Sequence, residues 1–201
     1  MRHLTKRIAA LAVVSLALLA AACNKGPAED ALNAADQALA AAKPEIEKYV
    51  PGELGSLTSA VQAARSEFEK GSYTEALKAA QALAAQIEAA LAAATVQKGQ
   101  LVAAWNDLSG SLPGQVQAIT GRLTGLADAK ALPKGMTRDM LASAQTDLGS
   151  VTQAWTEATA AFQGGDIPRA LKTAQDVKTK ADALAGMLGL PGAPAPAAAN
   201  N

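Results

Sequence analysis

Residues 54–81 of this 201-residue chain recur as residues 148–175, at an offset of 94, with 13 of the 28 aligned pairs identical. The matches include Leu54 with Leu148, Ala64 with Ala158, Phe68 with Phe162 and Gly71 with Gly165, and Ala76-Leu77-Lys78 returns as Ala170-Leu171-Lys172. They fall on apolar positions and at one turn rather than on alanines alone, which is the mark of a duplicated unit. Each copy reads as a helix, a glycine that ends it, and a second helix. Gly71 and Gly165 stand where a helix closes through the left-handed conformation. Ser72 with Glu75 then forms a capping-box pattern in the first copy, and Asp166 with Pro168 opens the next helix in the second.

The periodicity around the repeat is helical throughout. Leu141, Ala144, Leu148, Val151, Trp155, Ala158 and Phe162 alternate steps of three and four, as do Leu77, Ala80, Ala84, Ile87, Leu91 and Ala94. Leu112, Val116, Ile119, Leu123 and Leu126 make a further stripe, and Ile167, Ala170, Ala174, Val177, Ala181, Leu184 and Leu188 another. Alanine-rich runs such as Ala89 to Ala94 favour helix over strand. The expectation is an all-α fold, an elongated antiparallel helical bundle of six helices in two duplicated three-helix units, over residues 31–98 and 99–188, or with all six helices sharing one elongated core. The second unit carries an extra linking helix segment, and Ser111 and Pro113 mark a new start or a kink in it. Phe68 and Phe162 read as packing wedges beside the turns. Trp105, outside the repeat, either bridges the units or faces a groove, with packing the preferred role.

At the N-terminus Arg2, Lys6 and Arg7 precede an apolar run from Ile8 to Ala22, closed by Cys23, the only cysteine. A basic start, an apolar stretch and small residues before a break describe an export signal. Ala21-Ala22-Cys23 resembles the lipobox of the bacterial lipoprotein family, with Ala20 where that family usually has leucine. The resemblance implies cleavage between Ala22 and Cys23, covalent lipid on Cys23 as the only attached group, and membrane anchoring. By the family's sorting pattern, Asn24 implies the outer membrane, facing the periplasm. Cleavage after Ala22 by the ordinary signal peptidase, leaving a soluble periplasmic protein, is the lesser alternative. Residues 23–30 are read as the lipidated terminus and a short spacer, and residues 189–201 as a disordered tail rich in proline and alanine.

Removing the signal strips out most chemistry. His3 is the only histidine and lies within it, so the remaining chain has none. Serine and cysteine triads, histidine-containing zinc sites and Glu-x-x-His di-iron sites are then excluded. Glu45 with Glu47 and Glu67 with Glu69 sit two apart, a spacing that does not share a helix face, and basic residues surround them. No phosphate-binding glycine motif is present. Taking Arg2, Lys6 and Arg7 from 18 basic residues leaves 15 against 18 acidic ones, no balance for nucleic acid. Neither catalytic nor metal-ligating residues are assigned, and the chain is read as no enzyme.

The string Ala64-x3-Phe68-x2-Gly71-x-Tyr73-x2-Ala76-Leu77 also resembles the turn of a tetratricopeptide repeat, although that family's 34-residue period and Trp-Leu-Gly signature are missing. We read it as convergent packing that keeps a protein-binding groove in view. Two functions follow as expectations. One is a lipid-anchored envelope protein acting as a structural or protein-interaction module, its partners the membrane and an envelope protein. The other is a periplasm-facing carrier of a small apolar ligand held between helices, near Trp105 or Trp155.

Overall fold

The three-four stripes fold as five helices in a computed structural model that describes residues 24–190: α1 (Lys25–Tyr49), α2 (Pro51–Glu69), α3 (Tyr73–Ala127), α4 (Arg138–Gln163) and α5 (Ile167–Met187). No strand occurs among the described residues, so the fold is all-α. The chain divides into two units between Gln97 and Lys98. Unit 1 holds α1, α2 and residues 73–97 of α3; unit 2 holds residues 98–127 of α3 with α4 and α5.

Five helices replace the expected six because α3 does not stop at Pro113. A proline inside a helix costs about 3 kcal/mol. Here the turns on both sides keep one buried stripe, Trp105, Leu112, Ile119 and Leu126 at seven-residue steps, and breaking the helix would expose it. The Ser111 hydroxyl adds bonds to the Asp107 and Leu108 carbonyls one turn below the proline. Pro44 within α1 is tolerated in the same way, between buried Ala42 and Ile46.

The second correction concerns residues 24–30, which are not a spacer. Asn24 caps α1, and Lys25 onward is helix. Pro27 sits in the first turn, where its missing N–H leaves no helical bond unmade. Ala28 is fully buried, and the Asn24 Nδ2 donates to Thr74 Oγ1 at 3.0 Å, so the start of α1 is fastened to the start of α3.

Within unit 1 the chain runs up, down and up. Val50 alone separates α1 from α2, and the Asp36 to Arg65 ion pair joins them across the hairpin. Ala35, Ala42, Ile46, Leu57, Val61, Leu83, Ile87 and Ala90 form the core, with a smaller cluster of Leu32, Ala64 and Ala80 backed by Phe68. Unit 2 repeats the arrangement. Gln115 of α3 donates to Asp182 of α5 at 2.7 Å and Arg122 to the Leu188 carbonyl at 3.2 Å, so these two helices run in the same direction.

The buried positions of the two units keep register. Ala76, Ala80, Leu83, Ile87, Ala90 and Ala94 correspond at the offset of 94 to Ala170, Ala174, Val177, Ala181, Leu184 and Leu188, and all twelve are buried. In α1 the buried Ala28, Ala35, Ala42, Ile46 and Tyr49 correspond, at an offset of 77, to Trp105, Leu112, Ile119, Leu123 and Leu126 of α3. The 17-residue difference between offsets is taken up by the α3–α4 loop and by an α4 that starts earlier than α2 does.

Both helix-turn-helix corners close alike. The Gly71 and Ser72 N–H groups reach back to the Phe68 and Glu67 carbonyls, and those of Gly165 and Asp166 to Phe162 and Ala161, at 2.8–3.0 Å. This is the Schellman arrangement, with φ of +81° at Gly71 and +77° at Gly165. Gly165→Ala should therefore lower stability by about 1–2 kcal/mol in denaturant unfolding, because alanine resists positive φ. Gly99→Ala, at an exposed α3 position with open space for a Cβ, should instead raise it by about 0.5–1 kcal/mol.

Candidate functional site

Two positions singled out by the sequence, Ala22 and Cys23, lie outside the described residues. The described residues begin immediately after them, with Asn24 as the cap of α1.

The carboxylate pairs do not assemble a site. Glu67 lies beside Lys70 at 2.8 Å, and the hydrogen bond and charge of Lys70, with a further hydrogen bond from Ser72, hold its carboxyl below the usual range. Its neighbour Glu69 lines a different feature, a groove of about 160 Å³ shared with Glu29, Asn33, Arg65 and Phe68. Among the described residues no cluster of three His, Cys, Asp or Glu side chains is placed to hold a metal ion. Every buried side chain described is apolar.

Asp182 is the most engaged carboxylate. It accepts from Gln115 and from Lys178, each at 2.7 Å. Burial pushes its carboxyl up, but the hydrogen bonds from Lys178 and Gln115 together with the Lys178 charge outweigh it and leave the group below the usual aspartate range. A carboxyl depressed in the folded state stabilises above the unfolded value of about 3.9, and that contribution fades as pH falls through the folded value. Asp182→Asn should therefore flatten the loss of stability on acidification below about pH 4, read from urea midpoints along a pH series.

The aromatic residues gather by unit. In unit 2 Trp105 is 5% exposed and lies parallel to two neighbours, Trp155 at 5.3 Å and Phe162 at 4.5 Å between ring centres. It belongs to the core of that unit. In unit 1 Phe68 meets Tyr73 edge-on at 5.1 Å. The difference follows from the matched registers, because Ala28 occupies in unit 1 the position that Trp105 occupies in unit 2, and Tyr73 fills the space beside the phenylalanine. Trp105→Ala should destabilise the protein by about 3–5 kcal/mol. Trp155→Phe should leave the fold intact while removing the near-ultraviolet circular dichroism of two stacked indoles.

The larger grooves lie elsewhere in unit 2. One of about 340 Å³ runs between α4 and α5, walled by Asp147, Ser150, Lys180, Leu184 and Met187. Another of about 230 Å³ forms where α3 and α5 end and α4 begins, among Arg122, Lys134, Met136, Met140 and Met187. Neither includes a tryptophan, so the expected placement of a ligand cavity beside Trp105 or Trp155 is not where these openings fall. Neither groove is legible in the sequence, because their walls come from segments up to 67 residues apart, from Arg122 to Gly189.

α3 is long and apolar enough to cross a membrane by length and composition alone. Its apolar window is 28% buried, with Leu83 and Ile87 in the core of unit 1, and much of the exposed remainder is alanine. Comparisons with known protein families, with curated proteins and with solved structures find no match to this chain.

Proposed function

We propose that this chain is a lipid-anchored protein of the cell envelope, attached through Cys23 to the outer membrane and facing the periplasm. Its helical body acts as a structural or protein-interaction module. The observation that carries the reading is the basic start followed by an apolar run that ends in the only cysteine. A lipid chain buried in a bilayer contributes about 0.8 kcal/mol per methylene, and stable attachment takes more than one chain. Acylation at both the sulfur and the new amino terminus of Cys23 would meet that requirement.

The helical body suits attachment of this kind. α1 begins at Lys25 and is fastened to α3 through Asn24 and Thr74, so the lipidated residue would adjoin folded structure without a tether between them. The proposal also takes the body as a duplication of one three-helix unit. Sequence identity supports this over residues 54–81 and 148–175, and shared burial extends it to helices whose sequences no longer match. A duplicated unit presents related surfaces twice, which suits a module that works by contact.

Fatty-acid tracer should label the wild-type protein in cells and co-fractionate with outer membranes, while Cys23→Ser should carry no label. Equal labelling of the two would overturn the anchoring.

A further inference from the structure

Apart from Met1, this chain has three methionines, Met136, Met140 and Met187, and all three wall the same 230 Å³ groove of unit 2. They arrive from the α3–α4 loop, the first turn of α4 and the last residue of α5. Met140 is one of two large apolar side chains with substantial exposure among the described residues, at 38%. A thioether on three rotatable bonds adapts to irregular apolar guests, and such side chains are favoured on binding surfaces that must reshape. Their convergence on an open groove makes an apolar guest the fitting one.

The charge of the groove fixes the other end of that guest. Arg122 and Lys134 line it, and no acidic residue does. Arg122 Nε donates to the Leu188 carbonyl, which holds the guanidinium at the rim while its terminal nitrogens form no ion pair with a described carboxylate. Lys134 projects from the exposed turn and likewise pairs with no described acid. Nearby Arg138 is engaged otherwise, donating to the Ala127 and Ala129 carbonyls at the end of α3. Two cations beside three uncharged thioethers disfavour a soft metal cation and favour an anion.

Size sets the remaining constraint. At roughly 30 Å³ for a water-sized group, 230 Å³ accommodates about seven or eight such groups. Met187 also walls the 340 Å³ groove between α4 and α5, where Leu184 and Ala183 continue the apolar surface. An unbranched chain too long for the first groove would extend past the Met187 side chain into the second. Together they fall within the range of small-molecule sites.

We infer that this end of unit 2 binds a single-chain anionic amphiphile, a fatty carboxylate, with its head group at Arg122 and Lys134 and its chain along Met140 and Met187 toward Leu184. The site does not depend on the lipid at Cys23, and its test is separate from the labelling of that residue. The full chain, with methyl-13C methionine, is titrated with dodecanoate and dodecyltrimethylammonium below their micelle concentrations and with dodecanol below its solubility limit. Partitioning of the shared dodecyl chain into any lipid present is then common to the three arms. Dodecanoate should shift the methyl signals of Met136, Met140 and Met187 saturably, and bind at least tenfold more tightly than octanoate or either of the other head groups. Arg122→Gln with Lys134→Gln should weaken dodecanoate at least tenfold. Lys134→Gln alone, at an exposed turn, should weaken it severalfold with the unliganded methyl signals unchanged. Equal affinity for the three head groups, undiminished binding by the Lys134 variant, or saturable shifts with silver ion and none with dodecanoate would each overturn the assignment.

Discussion

Helix spacing in this protein is set by alanine, and the volume alanine does not supply has to come from the facing helix. Ala35 and Ala42 of α1 are buried in the same core as Leu83 and Ile87 of α3. In unit 2 the distribution is exchanged. Leu112 and Ile119 of α3 share a core with Val177 and Ala181 of α5, at the corresponding positions. At these positions the larger side chains sit on the third helix in unit 1 and mainly on the first helix in unit 2. The aromatic residues obey the same rule at the turn end of each unit. Where α1 offers Ala28, Tyr73 comes in beside Phe68; where α3 offers Trp105, the tryptophan itself covers Phe162.

This exchange accounts for sequence identity between the two units in some helices and its absence in others. The second and third helices of each unit meet at a corner that tolerates little change: a glycine at positive φ, a phenylalanine one turn before it and alanines where backbones approach. Identity survives there. The first helix of each unit meets only one requirement, an apolar residue at seven-residue steps, and its size can drift if the facing helix compensates. Sequence comparison therefore passed over α1 and the second half of α3, whereas burial restores the correspondence. The registers of Phe68, Phe162, Gly71 and Gly165 were readable because backbone conformation ties them to particular residue types. Helix ends governed by tertiary burial were not. Pro113 reads locally as a break, and Gly26-Pro27 as part of a spacer, but the buried stripe of Trp105, Leu112, Ile119 and Leu126 together outweighs Pro113, and Pro27 in a first turn costs no helical bond.

The same reasoning sorts the functional residues. The role proposed for Cys23 rests on local chain chemistry, a short pattern of contiguous residues that needs no partner elsewhere. Carboxylates two apart on a helix diverge, and Glu67 turns to Lys70. The groove at the end of unit 2 belongs to the opposite category. Met136, Met140 and Met187 share no motif, and Arg122 is one more surface cation until α3, the loop and α5 are brought to one place.

An apolar interior with no buried polar side chain described has a bearing on both functional readings. A scaffold of this kind places almost no directional constraint inside its helices, so specificity has to be carried at its margins, where helices end and loops turn back. Unit 2 meets that condition at its loop end, where two cations and three flexible thioethers interrupt an otherwise alanine-rich surface. Unit 1 has a shorter corner there, with Val50 alone between α1 and α2 where unit 2 inserts a loop and extra turns of α4. The 17 residues by which the units differ thus include Lys134, Met136 and Met140, three of the five side chains on which the proposed site rests. That same segment supplies Leu141 and Ala144 to the core of unit 2, so the side chains of the proposed site are held in place by the residues that fix the start of α4.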